Sequence, residues 1–225
     1  HNRLLQRDAM AGIRVFRMWT FLAPNKGFLR RILNYSSYLV MATLLAPFLP
    51  RVDVVVSTSP QFFCGLSGYL VSRLKRVPWV LEIRDIWPES IVAVGAMKKS
   101  AWIRFLEWLE SFAYRKADHI VPVTDSFCRH IEARGGAPGK IMVIKNGVDL
   151  AFFSPAASAS DVAEELGLSR KFVVSYVGTH GISHGLETVL EAARLLRNEP
   201  DIAFLLVGDG ARREALLRQR DEMQL

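Results

Sequence analysis

Residues 172–197 read FVVSYVGTHGISHGLETVLEAARLLR. A run of apolar and β-branched residues gives way to a loop holding Gly178, Gly181 and Gly185, and then to a segment of helical periodicity. That order predicts a strand at 172–177, a turn, and a helix over 184–197. The same alternation runs outward in both directions. Further strands are expected at 13–18, 53–57, 79–83, 119–123, 141–144 and 202–207. Helices are expected at 30–46, 62–74, 101–115, 126–133 and 211–220. Short apolar strands alternating with helices predict an α/β fold whose parallel sheets are covered on both faces. Right-handed crossovers then bring the C-terminal ends of the strands to one edge, where ligands bind.

The organisation follows from punctuation and charge. Residues 146–159, NGVDLAFFSPAASA, combine an Asn-Gly turn, a Ser-Pro break and small connector residues, and mark a boundary between two bodies. Up to Ser154 there are 21 lysines and arginines against 11 acidic residues; from Pro155 onward there are 8 against 11. The net +7 of the 225 residues therefore conceals a basic first part and a mildly acidic second one. A basic surface suits phosphates, nucleic acid or a membrane, or serves solubility alone. With 50% hydrophobic residues the chain is neither disordered nor low-complexity. Cys64 and Cys128 are too few for a disulfide scaffold, and both thiols are expected to be buried and inert. Residues 38–50, YLVMATLLAPFLP, are too short to span a bilayer, which takes about 20 apolar residues. They are expected as a buried helix, with a helix lying in the membrane interface as the alternative. The first residue is His1, and Leu225 falls inside a charged helical pattern, so a fragment is expected.

Three segments carry chemistry. Residues 81–90, LEIRDIWPES, leave a strand and enter a polar turn, placing Glu82, Arg84, Asp85 and Glu89 at the binding edge. Arg84 can hold an anionic group, and Asp85 can orient a hydroxyl or accept a proton. Ser57, Thr58 and Ser59, followed by Pro60, end another strand. Their hydroxyls and the free N–H groups of a helix start can hold an anion or a sugar hydroxyl. Simple N-capping explains one of those hydroxyls but not all three. In residues 176–187, YVGTHGISHGLE, the loop between strand and helix presents backbone N–H groups to phosphates. The glycines spell neither G-x-G-x-x-G nor a P-loop, and His180 with His184 lacks an acidic ligand nearby, so no metal site is expected. The pairs Glu191/Glu199 and Glu214/Glu222 show E-x7-E spacing, which solvated helices rich in Glu and Arg produce readily.

Residues 144–155, IKNGVDLAFFSP, resemble the signature joining the two domains of family 4 glycosyltransferases of the GT-B fold. Residues 121–127, VPVTDSF, and 177–193, VGTHGISHGLETVLEAA, are similar to the same family in order and spacing. RDIWPES at 84–90 resembles the bacterial enzymes that build O-antigen, capsule and exopolysaccharide repeat units. The resemblance implies a GT-B-like α/β protein of two Rossmann-like domains with parallel sheets, the second incomplete. An acceptor-side domain would occupy 1–146, a linker 147–159, and the start of a donor domain 160–225. It implies transfer of a sugar from a nucleotide donor, UDP-linked, with retention of anomeric configuration.

The acceptor implied is a polyprenyl-diphosphate-linked saccharide at the inner face of the cytoplasmic membrane, with the basic part in peripheral contact with anionic lipid. No metal, no further cofactor and no nucleic acid are implied. Carried over by position, Arg84 and Asp85 are the catalytic candidates. Ser57, Thr58, Ser59, Glu89 and Asn146 are the substrate contacts, and Gly178, Thr179, His180 and His184 bind the donor phosphates. Thr179 and His184 stand where relatives carry Arg and Lys, which weakens the diphosphate clamp, because neutral His offers less charge than Lys. The family's own E-x7-E is expected beyond residue 225 and its N-terminal glycine loop before residue 1. Two alternatives remain: a sugar-nucleotide 2-epimerase of the same fold, and a catalytically silent membrane-associating fragment.

Overall fold

A computed structural model describes residues 4–22, 28–59, 62–89, 100–154 and 160–225. The chain divides into two compact units, His1–Gly147 and Val148–Leu225. Of the segments singled out in the sequence, Pro60, Ser90 and residues 155–159 lie outside the described residues.

The first unit begins with an antiparallel hairpin of β1 (Leu5–Met10) and β2 (Ile13–Met18). Ala11 and Gly12 both take positive φ, 49° and 80°, as a tight two-residue hairpin turn requires. The strand expected at 13–18 thus exists, but it belongs to this separate hairpin and not to a parallel sheet. Arg14 and Arg17 lie on opposite faces of β2, and Arg17 reaches across to Asp8 at 2.8 Å. A long helix, α1 (Phe28–Leu45), follows and runs into a 3-10 turn at Ala46–Phe48. Ala42 and Ala46 are buried while Val40 and Leu44 face out, so the segment expected to be a buried helix is covered on one side only. Among the described residues no helix is long and apolar enough to cross a membrane.

The parallel sheet is three-stranded, ordered β3 (Val55–Thr58), β4 (Trp79–Ile83), β5 (His119–Pro122). Between its strands run α2 (Phe62–Lys75) and α3 (Ala101–Lys116), and after β5 comes α4 (Asp125–Ala133). Ser100 caps α3 by accepting the Ile103 N–H, and Arg115 and Lys116 sit at the negative end of its dipole. Trp79, Leu81 and Ile83 alternate onto one face of β4 and meet Ala113, Tyr114, Ile120 and Ile131 in a single core. Gly68 lets α2 press onto the sheet, since a Cβ there would stand 2.2 Å from Ser57 Oγ. The expected strand at 141–144 is reduced to one bridge, Ile120 to Ile141. Gly139 and Pro138 form a 3-10 turn directly before it, and the backbone then touches β5 through the Met142 and Ile144 N–H groups. On the other face of the sheet Val80 and Glu82 of β4 are only half-buried and Val56 of β3 is 63% exposed, so the expected cover on both faces is met on one face alone among the described residues.

The second unit holds the short helix α5 (Ser160–Glu165), then β6 (Phe172–Val177), α6 (Glu187–Leu195), β7 (Ile202–Val207) and α7 (Arg213–Glu222). Strands β6 and β7 pair in parallel from Phe172↔Ile202 to Val177↔Val207. Leu186, Leu190 and Leu216 form its core, with Tyr176 and Leu206 packed against them. Phe172 and Val177, on opposite faces of β6, are both exposed, so the double cover expected of this sheet is not seen among the described residues. Glu187 and Arg212 pin the starts of α6 and α7 together through a two-pronged ion pair.

Candidate functional site

In the first unit the parallel register brings Thr58 beside Glu82, and Ile83 beside Pro122, so three strand ends open on one edge. Loop residues are then tied strand to strand. The Ser59 hydroxyl accepts the Arg84 N–H at 3.0 Å and donates to the Asp85 carbonyl at 3.4 Å, and the Ser59 N–H donates to the Glu82 carbonyl. The turn after β4 is thereby fixed from its own backbone outward. Its guanidinium is directed as well: Arg84 Nη2 donates to Asn146 Oδ1 at 3.2 Å, and Nη1 lies 3.9 Å from Glu82 Oε1. Half exposed, Arg84 keeps donors for a bidentate anion partner. Lys145 pairs with Asp125 at 2.9 Å along the same edge, in full contact with water.

The sequence candidates divide on this geometry. Arg84 meets Asn146 across 62 residues of chain, and Ser59 holds the backbone of Arg84 and Asp85 beside them. Ser57 turns the other way: its hydroxyl is buried, accepts the Trp79 indole N–H at 2.7 Å and donates to the Gly65 carbonyl at 3.2 Å. It locks α2 and β4 in the core. The Thr58 hydroxyl donates to the Ser59 carbonyl. Cys64 and Cys128 are half-buried and free, not fully buried as expected; burial pushes the Cys64 thiol up.

Glu89 belongs to a network that the sequence did not show. Its carboxylate lies 3.0 Å from His130 Nδ1 on α4, and His130 Nε2 lies 2.9 Å from Oε1 of Glu110 on α3. Glu110 is 2% exposed; it also accepts the Tyr114 hydroxyl at 2.9 Å, with Arg134 Nε 3.9 Å from Oε2. Arg134 is held in turn by Glu107 at 3.1 Å. A histidine with a carboxylate oxygen on each nitrogen needs a proton in both contacts. Either the imidazole is charged or one carboxyl keeps its proton. Burial pushes Glu110 upward against the pull of His130 and Tyr114. Asp85, Trp87, Glu110 and Tyr114 line one mostly apolar cavity beneath the turn. In the sequence, Glu107 and Glu110 look like a solvated helix face. Only the buried positions Ile103, Leu106, Ala113 and Tyr114 around Glu110 show that it points inward.

In the second unit two loops cross at the ends of β6 and β7. Gly178 N–H donates to the Val207 carbonyl and His180 N–H to the Asp209 carbonyl, each at 2.9 Å, while Arg212 N–H donates to the His180 carbonyl. The approach is so close that a Cβ on Gly208 would lie 1.8 Å from the Gly178 oxygen, and one on Gly210 2.5 Å from the His180 oxygen. The Tyr176 hydroxyl donates to the Thr179 carbonyl at 2.9 Å. His180 is 6% exposed, and neither ring nitrogen has a hydrogen-bond partner among the described residues. Thr179 and His184 are exposed on the outer side of the crossing. The expected helix start at His184 is a 3-10 turn, Ile182–His184, ended by Gly185 in the left-handed region at φ 58°; α6 begins at Glu187. Glu187 is held below the usual carboxylate range by its own backbone N–H and by Arg212. The pair Gly208 and Gly210, in VGDG directly after an apolar strand, was the legible signal for this second loop. No cluster of three or more His, Cys, Asp or Glu able to hold a metal occurs among the described residues.

The family described as "Glycosyl transferase 4-like domain" matches residues 2–147. WcaI of Escherichia coli K12, named as a colanic acid biosynthesis glycosyl transferase, is 27% identical over 217 residues, covering 92% of this chain and 53% of its own. An E. coli UDP-Gal:alpha-D-GlcNAc-diphosphoundecaprenol alpha-1,3-galactosyltransferase is 32% identical over 172 residues, covering 71% of this chain and 41% of its own. The chain thus spans about half the length of these curated relatives, or less. Among solved structures, Anabaena HepE in complex with UDP and glucose superposes with a TM-score of 0.65 at 18% identity, over 83% of this chain and 49% of that one. Sucrose-phosphate synthase from Thermosynechococcus elongatus gives 0.65 at 16% identity, over 100% of this chain and 55% of that one. These likenesses establish the GT-B-like α/β fold.

Proposed function

Because the chain belongs to the glycosyl transferase 4-like family, we propose that the protein transfers a sugar from a nucleotide donor during cell-surface polysaccharide synthesis. The observation that carries this reading is the match over residues 2–147, which contains the edge where Arg84 meets Asn146. The donor is UDP-linked and the acceptor a saccharide on a polyprenyl diphosphate, a reading supported by the printed activity of the E. coli galactosyltransferase relative. The reaction retains anomeric configuration and uses neither a metal nor a further cofactor. Arg84 offers a fixed charge to the developing negative charge or to the acceptor diphosphate, and Asp85 orients or deprotonates the acceptor hydroxyl. Ser59, Thr58, Glu89 and Asn146 shape the acceptor side. The donor phosphates are received at the loop crossing of Gly178, Thr179, His180 and His184, where the Gly178 and His180 N–H groups, donated to the Val207 and Asp209 carbonyls, hold the loop in shape. The protein works at the cytoplasmic face of the membrane, in peripheral contact with anionic lipid.

The test is to supply the intact protein with UDP-sugars and a polyprenyl-diphosphate-linked saccharide, with and without a chelator. The expected result is an α-linked glycolipid, formed at the same rate under chelation and lost in Arg84→Ala and Asp85→Ala. Conversion of the UDP-sugar without acceptor would identify an epimerase instead. No turnover and no UDP-sugar binding would leave the silent fragment.

A further inference from the structure

The helix α3 distributes its residues in an unusual way. At about 100° per residue, Ile103, Leu106, Glu110, Ala113 and Tyr114 share the inner face, and all of them are buried. Its acidic residues, Glu107 and Glu110, serve that inner side, where Arg134 and His130 hold them. The opposite face carries no acid at all. There Phe105 and Trp108 stack between Trp102, on the flank of the helix, and Phe112, which is half-buried edge-on against Tyr69 of α2 at 5.2 Å; successive ring centroids along the row are 5.4, 6.0 and 6.0 Å apart. Trp102, Phe105 and Trp108 are 38, 44 and 55% exposed. Arg104 and Arg115 flank the stack on one side. Lys116 flanks it on the other, its Nζ 6.0 Å over the Phe112 ring. An ordinary solvated helix face is charged with both signs and poor in Trp and Phe.

We infer that this face of α3 lies flat on the anionic surface of a lipid bilayer, with the aromatic stack in the headgroup region and the flanking cations on the lipid phosphates. Tryptophan favours that interfacial depth because its ring is amphipathic, and the arginines and lysine gain from a negative surface potential. The excess of basic residues in the first part of the chain adds to the same attraction. Charge argues against a second copy as the occupant, because a self-complementary contact would set Arg104, Arg115 and Lys116 against their own equivalents. The inference rests on the membrane contact proposed above and assigns it to a surface.

The experiment is co-sedimentation of the intact protein with phosphatidylcholine vesicles, with and without about 30% phosphatidylglycerol, alongside Trp quenching by brominated lipid. Parent protein is expected to partition onto the anionic vesicles and to be quenched there. The double variant Phe105→Ser with Trp108→Ser should lower the partition by about tenfold or more. Arg104→Glu with Arg115→Glu should abolish the preference for anionic lipid. Val40→Ser with Leu44→Ser, exposed on α1, should change neither. Circular dichroism melts of every variant should match the parent. If the parent binds anionic vesicles and the α3 variants bind equally well, the surface assignment fails while the membrane contact stands. If the parent binds no vesicle, the membrane contact fails and the inference with it. A concentration-dependent dimer that the aromatic variant dissolves would overturn the inference in favour of a self-contact.

Discussion

At the edge of the first unit, Arg84 is aimed by side chains, Asn146 and Glu82, and the neighbouring turn is anchored through Glu89, His130 and Glu110. In the second unit, Gly178 and His180 are held by backbone groups of Val207 and Asp209, with Gly208 and Gly210 leaving no space for a Cβ. One loop region is fixed by charged and polar side chains, the other by backbone hydrogen bonds at a contact too close for a Cβ. The first is therefore open to perturbation by charge and pH, the second by volume. The distinction fits the proposed roles. A site that moves protons and opposes charge needs ionisable groups, whereas a loop that seats a diphosphate needs a rigid backbone.

The largest effect is expected at the steric contact. Gly208 sits at φ 152° with a carbonyl oxygen 1.8 Å from its absent Cβ, so Gly208→Ala should destabilise the second unit by at least about 3 kcal/mol. Urea denaturation reads this directly, and a normal midpoint would refute the close packing of the two loops. Next comes Glu110→Ala, which leaves His130 and Arg134 facing a hole; the cost should be about 2–4 kcal/mol. Glu110→Gln keeps the shape and removes the charge, and it separates packing from titration. Burial raises the folded pKa of Glu110 above the ordinary 4.5, so its folded state holds the proton more tightly than the unfolded one. Its contribution is complete below that value and is lost as the pH rises through the folded pKa. Glu110→Gln should flatten this part of a stability-versus-pH curve measured by thermal melts. Smallest of all, Lys145→Ala breaks a fully solvated pair with Asp125, and its melt should overlay the parent's.

These contrasts also explain what could be read from the sequence. The strands at 79–83, 172–177 and 202–207 coincide with β4, β6 and β7, because runs such as WVLEI, FVVSYV and IAFLLV are rich in the β-branched and aromatic residues that favour strands. LQRDAM at β1 carries no such pattern and becomes a strand only through its pairing with β2. The approach of Arg84 to Asn146 joins two loops that were each legible, but their contact was not. Glu110 was illegible for a different reason. Nothing local marks a glutamate as buried until the partners on α4 are in place.

Steady-state transfer by the intact protein carrying Arg84→Ala, with UDP-sugar and the polyprenyl-diphosphate-linked acceptor, tests the central claim most directly. If the charged edge of the first unit is the reacting side, kcat/KM should fall by about a hundredfold or more with the melt unchanged, and Arg84→Lys should restore only part of it. Parental turnover in a folded Arg84→Ala protein would contradict the account.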